Sequence, residues 1–165
     1  MAKQESNNEK TKKKTAYNEL GAIRGALRRS FSRSPVVREV LRKVRREVPK
    51  FNKDGSRAKK DAVQYLCGVC KEYTGSTKVT VDHIAPVIPE SGFTDWNTFI
   101  SRLFCEAHNL QVICDPCHNE KTNKERAARS KIKDEQMYSL LSAHPSTLDP
   151  KELKLLKRLK KKLGK

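Results

Sequence analysis

Residues 67–70 read Cys-Gly-Val-Cys and residues 114–117 read Cys-Asp-Pro-Cys, so the chain carries two C-x-x-C motifs separated by 43 residues. Two such pairs can place four thiolates around one tetrahedral Zn²⁺. The alternatives are buried free thiols and a redox pair, although no βαβ pattern surrounds either motif. The predicted ligands of one structural zinc ion, with no open position, are Cys67, Cys70, Cys114 and Cys117.

The segment between the motifs predicts a strand, a long excursion, a second strand and a helix. Residues 78–81 alternate in polarity like a short strand, and residues 110–113 read as its partner. A short helix is expected from 95 to 104. A further helix is expected from Asp115 as N-cap, with Pro116 at its first position, to about residue 130.

Basic helices are predicted on both sides of this core. Apolar residues recur every three or four positions from 17 to 31, and a second stripe runs from Ser34 as N-cap to Val48, before Pro49. A polar loop with a turn at Asp54-Gly55 follows. In the tail we expect a short helix at 134–141 and a basic helix that starts with a capping box at residues 149–152.

The charge of the chain is concentrated at its ends. The formal net charge is +17. Residues 1–60 carry 19 basic and 6 acidic side chains, residues 61–130 carry 7 and 9, and residues 131–165 carry 10 and 4. This field attracts a polyanion, and nucleic acid is the first candidate, although charge alone does not separate DNA from RNA. The layout suggests a central site between two electrostatic arms.

Nothing in the composition predicts a membrane or secreted protein. No stretch approaches the roughly 18 apolar residues of a membrane span, and no apolar segment follows the Lys-rich start as in a signal peptide. We therefore expect a cytoplasmic protein without a small-molecule substrate. The oligomeric state stays open.

Four residues around the predicted strands and helix carry complementary chemistry. Asp82 and His83 end the first strand, Asn109 opens the second, and His118 follows the last Cys of the second motif. Phosphodiester hydrolysis needs a general base for water and a cation for the developing charge. An imidazole suits the base, and a carboxylate with a neutral imidazole suits a divalent metal.

Three segments of this sequence resemble the HNH endonucleases. They are Val81-Asp82-His83-Ile84-Ala85-Pro86, the run 109–114, and Cys117-His118-Asn119-Glu120-Lys121-Thr122. Residues 95–97 and 102–105 resemble an insert of bacteriophage HNH proteins, and the resemblance covers roughly residues 64–126. It implies a small α+β fold with a ββα-metal core and cleavage of double-stranded DNA, either nicking or cutting both strands. If a phage encodes the chain, the cytoplasm is that of the host cell.

The resemblance also implies a role for each candidate residue. His83 would be the general base, Asp82 and His118 would hold Mg²⁺ or Mn²⁺, and Asn109 would position the loop that carries His83. The spacing favours His118 over the adjacent Asn119 as the metal ligand. The products would end in a 3′-hydroxyl and a 5′-phosphate.

Other polar or reactive residues have simpler interpretations. Lys121 and Lys124 could touch phosphates or be solvated surface lysines. Cys105 is expected to be a buried thiol, and Trp96 to anchor the insert in the core.

The prediction is a disordered tail at 1–14, a basic helical arm at 15–60, an HNH domain at 61–130 and a basic helical tail at 131–165. The alternative function is a non-catalytic, zinc-dependent nucleic-acid-binding protein. A structural RNA-binding protein is a second rival, favoured by the basic arms.

Overall fold

The computed structural model describes residues 16–165, so the tail predicted to be disordered at 1–14 lies outside the described residues. The helices and strands follow one another in an α+β order, as the sequence predicts. They are α1 (Glu19–Phe31), α2 (Pro35–Lys43), β1 (Arg45–Val48), β2 (Ala62–Leu66), β3 (Tyr73–Gly75), β4 (Val79–His83), α3 (Trp96–Leu103), β5 (Leu110–Cys114), α4 (Asp115–Ala143) and α5 (Pro150–Leu163).

Strands β4 and β5 and helix α4 form the predicted ββα unit. The two strands pair antiparallel, with Val79 opposite Cys114 and His83 opposite Leu110. Both faces of β5 pack against the rest of the fold, because the adjacent residues Val112 and Ile113 are both buried. The insert between the strands returns through α3, whose N-cap Asp95 accepts a hydrogen bond from the Thr98 backbone N–H at 2.8 Å.

The N-terminal helices pack onto the ββα unit and share its core. Buried residues from α1, α2, the insert and β5 form one apolar cluster, which comprises Phe31, Val37, Val40, Val87, Phe99, Leu103, Leu110 and Val112. Trp96 is partly buried at the edge of this cluster, as expected of an anchor for the insert, and Cys105 is partly buried there as well. The described residues include no helix long and apolar enough to cross a membrane.

The prediction that the second helix continues to Val48 is wrong. Helix α2 ends at Lys43, and β1 pairs antiparallel with β2, so that Arg45 lies opposite Tyr65. Strand β3 completes a three-stranded sheet that the sequence did not predict. Cross-strand contacts explain the change, because the Arg46 guanidinium bonds to Gln64 Oε1 and stacks 3.4 Å from the centre of the Tyr73 ring.

The prediction of two helices between residues 115 and 141 is also wrong. A single helix, α4, runs from Asp115 to Ala143, and its N-cap is Cys114 instead of Asp115. Helix α5 packs against α4 and buries Leu141 and Leu159, which stabilises residues that would fray in isolation. The capping box predicted at the start of α5 is confirmed.

Candidate functional site

The two C-x-x-C motifs meet beside the ββα unit. The Sγ atoms of Cys67, Cys70, Cys114 and Cys117 all lie within 4.8 Å of one another. The first motif follows β2, and the second joins β5 to α4. Gly68 ties the motifs together, because its backbone N–H donates to the Val112 carbonyl at 2.8 Å. The chain thus returns to the first motif after its insert, as the spacing predicted.

The electrostatics of the cluster fit a bound cation. Burial disfavours the Cys67 thiolate, but backbone N–H groups of Cys114, Cys70 and Val69 outweigh this effect and lower the pKa of Cys67 to about 6. The neighbouring Cys114 thiol and burial raise the pKa of Cys117 to about 12. Four thiolates this close together need a shared cation. The four thiol donors and their spacing suggest a zinc site. Four protein ligands would complete the tetrahedral coordination of the ion and leave no position for water or substrate.

His83 is fixed at the end of β4, where it is buried. Its Nε2 lies 2.9 Å from the Leu103 carbonyl oxygen. A carbonyl oxygen can only accept, so Nε2 carries the proton and donates, which leaves Nδ1 of the neutral ring as a proton acceptor. The Phe31 ring packs against the imidazole with 5.1 Å between ring centroids. The tautomer and orientation of His83 are therefore set by α1 and α3.

Asn109 anchors the two residues that follow His83. Its side-chain Oδ1 accepts a hydrogen bond from the Ala85 backbone N–H at 2.8 Å, and its carbonyl accepts one from the Ile84 N–H at 2.8 Å. Both acceptors belong to one residue, so the turn after β4 is held at two successive peptide groups. This geometry suits a residue that positions the His83 loop.

Lys121 of α4 points inward at the same strand end. Its Nζ lies 2.7 Å from Asp82 Oδ2 and 2.7 Å from Glu125 Oε1, and it donates to the His83 carbonyl at 2.7 Å. Burial lowers the pKa of Lys121, but the two carboxylates outweigh this effect and raise it. Arg129 extends this network of ion pairs and hydrogen bonds, because it contacts Glu125 and donates to the carbonyl of Ile88. The network joins α4 to the loop after β4.

His118 lies one turn before Lys121 on α4 and is partly buried. Residues three apart share a helix face, so the face that reaches Asp82 through Lys121 also carries His118. Within residues 16–165, the His118 side chain makes no hydrogen bond to protein. Within the same residues, no hydrogen bond or ion pair joins His118 to Asp82 or His83, so its role as a metal ligand stays a prediction. Lys124 instead lies on the exposed face, where it pairs with Glu120 at 2.6 Å.

Helix α1 contributes two arginines that sequence reasoning did not single out. The Arg28 guanidinium carbon lies 5.7 Å from the centre of the Phe99 ring, and that of Arg24 lies 5.5 Å from the Phe93 ring. Surrounding protein atoms and then Arg24 lower the pKa of Arg28, and Asp82 opposes the shift. The Arg28 side chain is exposed, and its charge interacts with that of Asp82. The four-residue spacing of these arginines was visible in the sequence, but their proximity to β4 was not.

A comparison with known proteins identifies a protein of similar sequence. A protein of Lactococcus phage SK1 described as a probable HNH endonuclease is 34% identical over 83 residues, which cover 48% of this chain and 81% of that relative. No protein-family model matches the chain. No solved structure matches it significantly.

Proposed function

This chain belongs to the HNH endonuclease family, and from that premise we propose that it hydrolyses phosphodiester bonds in double-stranded DNA, by nicking or by cutting both strands. The observation that carries the proposal is the fixed His83 ring, whose Nε2 donates to the Leu103 carbonyl and whose Nδ1 is left to accept a proton. The flanking segments 16–60 and 131–165 bring the basic charge that DNA needs, around a catalytic region at 61–130.

His83 acts as the general base. Its Nδ1 takes a proton from water as the water oxygen attacks phosphorus. The bond from phosphorus to the 3′-oxygen then breaks, and that oxygen takes a proton from solvent water, which gives a 3′-hydroxyl and a 5′-phosphate. Asn109 keeps the base in place through its two hydrogen bonds to the following turn. A general base of this kind contributes roughly 10²–10⁴-fold.

Asp82 and His118 would hold a divalent cation, Mg²⁺ or Mn²⁺, which supplies positive charge for the phosphate and the leaving oxygen. The donor set fits, because a carboxylate and a neutral imidazole suit such ions when water and phosphate complete the coordination. Lys121 holds the Asp82 carboxylate towards α4. Arg28 would supply a second cation for the phosphate, because its charge interacts with that of Asp82.

The basic arms supply most of the affinity for DNA, without strong sequence preference. Residues 1–60 and 131–165 carry 29 of the 36 Lys and Arg side chains. Each phosphate contact adds about 0.9 to the slope of log K against log salt. An isolated central segment that bound as tightly as the full chain, with the same slope, would contradict this assignment.

The second candidate is a zinc-dependent protein that binds nucleic acid without cutting it. The exposed Lys124 and the basic tail would serve either function. The intact set of Asp82, His83, Asn109 and His118 favours the nuclease, because binding alone does not require it.

Incubation of the full chain with supercoiled plasmid and Mg²⁺ or Mn²⁺ tests the proposal. We expect relaxed or linear plasmid from the wild-type protein and supercoiled plasmid from the His83→Ala protein, with equal zinc content and equal DNA binding. Cleavage by His83→Ala at the wild-type rate would favour the binding protein. The same assay with structured RNA as competitor tests the preference for DNA.

A further inference from the structure

A short hairpin, which we call the finger, lies beyond β1 and β2 at residues 49–61. Phe51 and Arg57 form an antiparallel bridge beyond the sheet. The Ala58 backbone N–H donates to the Lys50 carbonyl at 2.8 Å, and the Asn52 N–H donates to the Ser56 carbonyl at 2.8 Å. The segment expected to be a loop is therefore a short hairpin beyond β1 and β2, in a register shifted by two residues from theirs.

The tip of the finger supports itself. Asp54 Oδ1 accepts hydrogen bonds from the Ser56 N–H at 2.9 Å and from its hydroxyl at 2.6 Å. Gly55 has a φ of +81°, which a residue with a side chain rarely adopts. Within residues 16–165, the side-chain hydrogen bonds of residues 50–60 all end inside 50–61, as with Arg57 on Asp61. Residues 51–57 are all exposed, so no other part of the chain between residues 16 and 165 covers the tip.

The surface of the finger combines positive charge with a bare aromatic ring. Residues 49–61 carry five basic and two acidic side chains. Phe51 is 63% exposed. Directly opposed residues of an antiparallel pair share a face, so Phe51 lies beside Arg57. In proteins that bind duplex DNA, cationic side chains contact the phosphates and apolar side chains contact the edges of the bases.

We propose that this finger enters a groove of duplex DNA, with its lysines and arginines on the phosphates and Phe51 against the bases. The major groove of B-DNA admits a two-stranded β-ribbon, whereas that of A-form RNA is too deep and narrow. The finger lies outside the catalytic cluster, so it positions the duplex and takes no part in the reaction. The proposal rests on duplex DNA being the substrate.

The finger is tested by measuring how the full chain binds a fluorescent 25-base-pair DNA duplex. Fluorescence anisotropy reports the binding, and no Mg²⁺ or Mn²⁺ is added. Phe51→Ala should weaken binding roughly 10-fold or more, because apolar contact with the base edges is lost, and should leave the salt slope unchanged because no charge is removed. Phe51→Tyr should retain binding. Ile100→Ala, which removes an apolar side chain that is 41% exposed on α3, outside the basic arms, is the control.

Lys50→Gln with Lys53→Gln should lower the salt slope by about 1.8, because two phosphate contacts are lost. Zinc content and circular dichroism should match the wild type for every variant. Equal affinities for the wild-type and Phe51→Ala proteins would overturn the proposal, as would an equal loss on an RNA duplex of the same sequence. A wild-type protein that binds DNA through Phe51 but does not cut plasmid would refute the proposed nuclease and leave the finger standing.

Discussion

Replacing Lys121 by methionine keeps the apolar stem of the side chain and removes the ammonium that lies 2.7 Å from both Asp82 and Glu125. The two carboxylates are then left without their shared cation while only 18% and 21% of their side-chain surface is exposed. Breaking a buried ion pair by removing one partner costs about 3–5 kcal/mol. Because some solvent reaches these groups, we expect a loss of about 2–3 kcal/mol in the free energy of unfolding.

The control is Lys124→Met, about one helical turn after Lys121 on α4. Lys124 pairs with Glu120, but their side chains are 75% and 65% exposed, so this change should cost under about 1 kcal/mol. Urea unfolding at constant zinc concentration measures both variants. Mn²⁺ should stabilise Lys121→Met more than the wild type, because a metal on Asp82 replaces the missing charge. Equal free energies of unfolding for the two variants would refute the reasoning.

Three further outcomes follow from the site. Prolonged chelation of zinc, or the substitution Cys117→Ser, should abolish cooperative unfolding, because zinc binding contributes the folding energy of the site. Circular dichroism should show that the chelated protein refolds when zinc is added back. A metal-free protein that stays folded would contradict a structural zinc. His83→Ala should lower cleavage roughly 10²–10⁴-fold at every metal concentration, whereas the defect of His118→Ala should ease at high Mn²⁺; identical metal titrations would argue against the two roles. Arg28→Gln should lower the cleavage rate at saturating DNA by roughly 10-fold or more, whereas the adjacent Arg29→Gln should not; equal rates for these two variants would remove Arg28 from the site.

The parts of the fold that the sequence predicted depend on local signals. The motif spacing placed four cysteines together, and the capping box at Asp149 marked a helix start that the structure confirms. Strand β1 could not be predicted in this way. Its residues continue a helical stripe, and the partner strand that overrides this preference lies at residues 62–66.

The same limit applies to the candidate site. Asp82, His83, Asn109 and His118 were identified by residue type and spacing, and their roles remain predictions. The inward direction of Lys121 depends on how α4 crosses β4, and its i,i+4 pairing with Glu125 would look the same on an exposed helix. The placement of α1 near Asp82 depends on packing between distant segments, for which the sequence contains no local signal.

The uninterrupted helix α4 has a consequence for where the protein touches DNA. At 1.5 Å per residue its 29 residues span about 43 Å, which equals roughly 13 base pairs at about 3.4 Å each. His118 lies at its first turn and the basic helix α5 packs along its far half. In the proposed complex, α4 would therefore set the distance between the cut and the DNA contacts of α5. Seven extra residues after residue 126 should lengthen it by about 10 Å. The footprint edge on that side should then move by about three base pairs, while the position of the cut relative to the finger stays the same.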